Sequence, residues 1–153
     1  MAATMAQALR GRTGGEPELW RQLLLLVHRV GHTLDRKLQR GHGVSAAEHT
    51  TLAALAGGAL RMQELAEAAG MSQSTMSRMV GRLEEAGLAT RTVGEEDRRV
   101  MVAALTDEGR ALLQDVQKTF AAELERALDL AAFEPATASL VNRLRHDPSA
   151  RTD

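Results

Sequence analysis

Between residues 18 and 40 the apolar side chains Leu19, Leu23, Leu26, Val27, Val30, Leu34 and Leu38 recur every three or four positions. That spacing is the stripe of a long amphipathic helix, and Pro17 suits its first turn. The run Gly41-His42-Gly43 ends it. Ser45 with Glu48 three residues later is a capping-box pattern, opening a helix that reaches about Ala56. Gly57 and Gly58 break the chain again. A short helix is expected from about Met62 to Ala69, then Gly70, then a helix from about Ser72 to Ala86 that Gly87 terminates.

After Gly87 the pattern changes. Residues 88–93 (LATRTV) and 99–105 (RVMVAAL) are short, β-branched stretches on either side of a polar loop, which predicts a β-hairpin. Thr106 is a cap for the next helix, with Asp107 and Glu108 in a first turn whose dipole favours acids. Leu113, Val116, Phe120, Leu124, Leu128 and Ala131 form its stripe, to about Ala132. Glu134 and Pro135 open a last helix bearing Leu140, Val141 and Leu144.

The order is four helices, a hairpin and two helices, so the fold class is mainly α with a small β-hairpin (α+β). The two long helices, each of ~20 residues and about 30 Å, stand at opposite ends of the chain. A body of 153 residues has difficulty burying both stripes, and an identical chain on a two-fold axis is the commonest partner for such faces. The alternative is a monomer folding both helices onto itself.

The densest polar cluster is Gln73, Ser74, Thr75, Ser77 and Arg78, at the start of one helix whose inward face is Met76, Met79, Val80 and Leu83. Ala66, four residues before Gly70, lets two helices approach, and Gly70 lets the chain turn between them. In a helix-turn-helix that end of the second helix meets base edges. Short hydroxyls and free amides suit phosphates, Gln pairs with adenine and Arg with guanine. Taken alone, the helix reads equally well as a solvated face with a Ser cap. The hairpin that follows decides for a winged helix. Its tip carries three acids and two arginines. In extended chain Asp97 and Arg99 point the same way, so Asp97 is expected to orient the Arg99 guanidinium for a minor groove, with Arg98 on the opposite side.

Composition narrows the chemistry. There is no Cys, which excludes disulfides, thiol catalysis and thiolate metal sites. Apolar runs such as Leu23–Val27 are far too short for a bilayer, which needs ~20 residues, and the N-terminus lacks an apolar signal region. No membrane association and a cytoplasmic location are the expectation. The formal charge is −1, and residues 71–106 hold five Arg against five acids. A nucleic-acid reading therefore rests on where charge is placed rather than on its sum. An enzyme is not indicated. Glu84–Glu85 and Glu95–Glu96 are adjacent and do not converge as acid and base, no serine sits in a nucleophile elbow, and no glycine-rich phosphate loop occurs. The seven Met residues read as adaptable packing. No cofactor is expected. His28 and His32, one helical turn apart with Asp35 on the same face, are the one metal-ligating pattern, with His42 or His49 as further donors; surface polar residues are the plainer reading.

Residues 97–109, DRRVMVAALTDEG, resemble the Asp-x-Arg and Leu-Thr-x-x-Gly signature of the MarR (multiple antibiotic resistance regulator) transcription factors. Residues 62–88 are similar to their helix-turn-helix, and the helix order matches from about Glu18 to Leu144. The resemblance implies a homodimer built from the first and last helices, acting as a repressor on a pseudo-palindromic double-stranded DNA operator. Recognition helices would enter major grooves and wings adjacent minor grooves, with release by a small-molecule effector. It divides the chain into a tail (1–16), an N-terminal dimerisation helix (17–43), a winged helix-turn-helix (44–106), C-terminal dimerisation helices (107–146) and a tail (147–153). The expected DNA contacts are Gln73, Ser74, Thr75, Ser77, Arg78, Arg98 and Arg99, with Asp97 as orienter. Without Cys the chain cannot sense peroxide through a thiol; without Tyr it offers little stacking surface for a phenolic ligand, and no effector residues are assigned. A winged-helix module that docks protein, favoured by the near-neutral charge, and a His-ligated metal-responsive regulator are the competing expectations.

Overall fold

The computed structural model describes residues 15–94 and 97–146. The two tails up to residue 14 and from 147, and the Glu95–Glu96 pair, lie outside the described residues. The elements are α1 (Gly15–His42), α2 (Ala46–Ala54), β1 (Leu60–Arg61), α3 (Met62–Ala68), α4 (Gln73–Glu85), β2 (Ala89–Val93), β3 (Met101–Leu105), α5 (Asp107–Phe133) and α6 (Ala138–His146). The chain is already helical at Gly15, within the stretch expected to be tail. Contacts divide it into two units, residues 35–121 and the residues before and after them.

The central unit holds the winged helix. Ser45 Oγ accepts from the Glu48 N–H while Glu48 Oε2 accepts from the Ser45 N–H, so the expected capping box forms. Gly70 and Gly87 both take positive φ, 65° and 74°. At Gly70, Met71 N–H reaches Ala66 O, and at Gly87, Leu88 N–H reaches Leu83 O, so each glycine closes a Schellman cap that turns the chain sharply. Leu52, Leu55, Leu65, Met76, Val80, Leu83 and Ala103 are buried in one cluster. Each of the Leu, Met and Val side chains among them contributes about 1.5–3 kcal/mol relative to exposure.

The sheet has three antiparallel strands in the order β1-β3-β2. β1 is an addition to the sequence reading: Leu60 pairs with Ala103 and Arg61 with Val102. Two residues carry no periodicity, so this strand exists because β3 supplies its partners. The hairpin strands are shorter than expected, because Arg99 and Val100 belong to the turn.

The junction from β3 into α5 is tight. Thr106 N–H donates to Leu88 O at 3.1 Å. Its hydroxyl donates to Gly87 O at 2.7 Å and accepts from Gly109 N–H at 3.0 Å. A Cβ on Gly109 would stand 2.0 Å from Leu88 O. The Leu-Thr-x-x-Gly spacing thus packs the first turn of α5 against the backbone that leaves α4.

His49 departs from the metal-donor expectation. It is 6% exposed and its ring stacks on Phe120 with centroids 4.0 Å apart. Neither ring nitrogen has a hydrogen-bond partner among the described residues. Burial lowers its pKa below the usual histidine value.

In the outer unit Leu26, Ala131, Leu140 and Val141 form a small core, with Leu19, Val30 and Leu128 against it. The buried Thr137 hydroxyl donates to Ala131 O at 2.7 Å and fixes the turn between α5 and α6. That turn occupies the residues around Glu134 and Pro135, so α6 starts at Ala138 instead. The α1 stripe is not uniformly inward. Leu26 and Leu34 are buried, but Val27 is 70% exposed and lies in register with exposed Trp20, Leu23 and Leu24.

Two outcomes are expected. Gly109→Ala destabilises by more than about 3 kcal/mol in urea unfolding because backbone must move, whereas Gly81→Ala, with nothing within 4 Å of its Cβ, gains up to about 1 kcal/mol from helix propensity. For His49 the folded pKa is depressed, so the unfolded chain takes up a proton that the native one refuses as pH falls below about 6.5. The unfolding midpoint of the parent therefore drops relative to His49→Phe as pH is lowered from 7 through that value; a constant difference between the two contradicts the assignment.

Candidate nucleic-acid interface

α4 separates its chemistry by face. Met76, Met79, Val80 and Leu83 are buried as expected, while Gln73, Ser74, Ser77 and Arg78 are exposed and Thr75 is half-buried. Ser72 is the N-cap, its Oγ accepting from Thr75 N–H at 3.2 Å. The same hydroxyl donates to Thr75 Oγ1 at 2.9 Å and lies 3.2 Å from Ser74 Oγ. The hydroxyl cluster thus organises the helix start, and Thr75 is partly committed to that cap. The amides of Gln73 and Ser74 precede the first helical acceptor and point out of the end of the helix, where an anion is favoured. One turn further, Arg82 lies 3.9 Å from Glu48 and 3.5 Å from Met79 Sδ.

The wing turn corrects the expectation for Asp97. Residues 97–100 are a turn, closed by Val100 N–H to Asp97 O at 3.0 Å and by Gly94 N–H to Val100 O at 2.8 Å. Asp97 Oδ1 accepts from the Arg99 backbone N–H at 2.9 Å. The carboxylate therefore shapes the turn rather than gripping the guanidinium, because period-2 alternation does not hold in a turn. Arg98 and Arg99 both remain exposed at its apex.

A contact absent from the sequence reading ties the two parts together. Glu84, near the end of α4, accepts from Arg91 N–H through Oε1 and from Arg91 Nε through Oε2, each at 2.8 Å. This clamp fixes the hairpin against the recognition helix. Glu84 was visible only as half of an adjacent acidic pair; the signal for its role is a strand arginine seven residues on, across a glycine turn.

His28 and His32 are exposed and line a cleft of about 390 Å³ in the outer unit, beside Arg29 and Glu134, whose side chains pair. Asp35, expected on their face, instead accepts from the Ala46 N–H at 2.7 Å at the start of α2. His42 Nε2 lies 2.9 Å from Thr119 Oγ1. Among the described residues no group of three or more potential metal ligands comes together. No helix among them is long and apolar enough to cross a membrane.

The arrangement is a helix-turn-helix, a third strand and a wing with two arginines at its apex, and residues 42–100 match the MarR family. Over that stretch the chain is similar to the MarR family of regulators. A stretch of 75 residues, 48% of each chain, is 39% identical to the HTH-type transcriptional repressor MdtR of Bacillus subtilis (strain 168). The chain spans about half the length of the curated relatives it matches. Among solved structures, a MarR family transcriptional regulator from Streptomyces coelicolor in complex with DNA is 29% identical, with a TM-score of 0.70 over 85% of this chain and 86% of that one. BpsR of Bordetella bronchiseptica, whose DNA binding is regulated by 6-hydroxynicotinic acid, is 25% identical, with a TM-score of 0.65 over 80% and 92%.

The clamp is directly testable. A double-mutant cycle of Glu84→Ala and Arg91→Ala is expected to give a coupling of roughly 0.5–1.5 kcal/mol in urea unfolding, since both side chains are about a third exposed. Additive losses contradict it.

Proposed function

We propose that the chain is a homodimeric transcriptional regulator, acting as a repressor on a pseudo-palindromic DNA operator. The observation that carries this reading is the sorting of α4, with an apolar face wholly buried and a polar, arginine-bearing face exposed at the helix start. A solvated helix needs no such concentration of Gln, Ser and Arg at its N-terminal end, beside a wing fixed to it by Glu84. Gln73, Ser74, Thr75, Ser77 and Arg78 meet the major groove and its phosphates, Arg98 and Arg99 the adjacent minor groove, and Asp97 holds the turn that presents them.

The dimer reading is supported by exposed Trp20, Leu23, Leu24 and Val27 on α1, together with Leu130, Phe133 and Leu144 on the C-terminal helices. Trp20, Val27 and Phe133 are 63%, 70% and 87% exposed, large apolar side chains of the kind that a partner surface covers. A second copy covers it and brings two recognition helices about 34 Å apart. The repressor reading draws on MdtR and the release by a small-molecule effector on BpsR. The action on DNA places the protein in the cytoplasm.

The test is a mobility shift on the chain's own upstream DNA over a salt series. Affinity falls steeply as salt rises, and Arg99→Ala weakens binding and reduces the slope of log K on log salt by about 1 while the sedimenting mass stays that of a dimer. An Arg99→Ala variant that binds as tightly as the parent contradicts the wing assignment, and a monomer at micromolar concentration contradicts the dimer.

A further inference from the structure

Only two large apolar side chains of the central unit are exposed among the described residues, Val93 at 50% and Met101 at 41%. They are direct partners in the β2–β3 ladder, the last pair before the wing turn. Strand alternation places Ala89, Arg91 and Val93 on one face of the hairpin with Met101, Ala103 and Leu105. On that face Ala89, Ala103 and Leu105 are buried in the main core, and Arg91 is bonded to Glu84 of α4. The Val93–Met101 pair therefore extends the α4-facing side of the hairpin past the core and into solvent, ending beside the turn that carries Arg98 and Arg99.

We infer that this pair is a sugar-contacting surface: Val93 and Met101 pack on the deoxyribose wall of the DNA strand that lies between the recognition helix and the wing. The inference rests on the DNA-binding reading above. A wing that sends arginines into a minor groove meets walls of C–H-rich deoxyribose, with phosphates only at the rims. An aliphatic and a thioether side chain fit that wall, where a charged pair would fit the rim. The surface adjoins the arginine turn and shares the hairpin face whose Arg91 is bonded to Glu84 of α4. It adds a salt-independent component to an interface otherwise built from ionic and polar groups. A pair that serves only to hold the hairpin would stabilise the fold and leave DNA affinity alone.

The experiment uses the full chain carrying Val93→Thr and Met101→Gln, which keep β-branching and side-chain length. The probes are fluorescent duplexes of about 30 base pairs, long enough for two half-sites a helical turn apart, selected from a random-sequence pool by the parent. About a tenfold loss of affinity is expected, with the parent's salt slope, dimer mass and unfolding midpoint retained. Equal affinity overturns the inference. So does a loss accompanied by a shallower salt slope or a lower midpoint, which makes the pair a hairpin contact, or a change in sedimenting mass, which makes it a contact between copies. If the parent itself selects no duplex, the DNA-binding reading falls and this inference with it. A parent that binds with an unaltered double variant removes the inference alone.

Discussion

The winged helix depends on how closely the start of α5 approaches the backbone leaving α4. Gly109 stands where any side chain would meet Leu88 O, and Thr106 bridges Gly87 O and the Gly109 amide with one hydroxyl. Two stretches some twenty residues apart in sequence meet there: the end of α4, and the junction of β3 with the long C-terminal helix. Glu84 and Arg91 add a second tie on the other side of the Gly87 turn. A hairpin of two five-residue strands is marginal by itself. These ties, with the short β1 edge, hold the hairpin as a projection anchored to α4.

Much of this was legible because the informative signals are local. Ser45 and Glu48 declare a cap within four residues, Gly70 and Gly87 mark turns that only positive φ allows, and the spacing of Met76, Met79, Val80 and Leu83 identifies the buried side of α4. The exposed cluster at Gln73–Arg78 follows from the same periodicity. What escaped was relational. The strand at Leu60–Arg61 is defined by its partner. The Glu84–Arg91 clamp joins residues whose proximity is created by a turn. The Thr-x-x-Gly spacing is visible, but its cause, Leu88 O, lies some twenty residues earlier.

Asp97 and Val27 show how far pattern arguments reach. Asp97 was assigned by strand alternation, yet Val100 N–H closes on Asp97 O and the chain there is a turn, so the carboxylate meets a backbone amide. Val27 fits the i, i+4 stripe of α1 by number, but α1 bears two apolar faces. One closes the small core with Leu140 and Val141; the other, with Trp20 and Leu24, is left in water. A single periodicity cannot sort residues between a core and an interface, since both are apolar. Burial can.

The wing base and α4 are tied closely enough to open as one cooperative unit. Amide hydrogen exchange by NMR tests this at three donors: Arg91, bonded to Glu84, Thr106, bonded to Leu88 O, and Gly109, bonded to the Thr106 hydroxyl. These amides are expected to share the opening free energy of Val80 and Leu83 in the buried face of α4, within about 1 kcal/mol. Exchange of the three at the rate of an exposed loop, while Val80 and Leu83 stay protected, would show the wing to be loosely attached and would contradict the account.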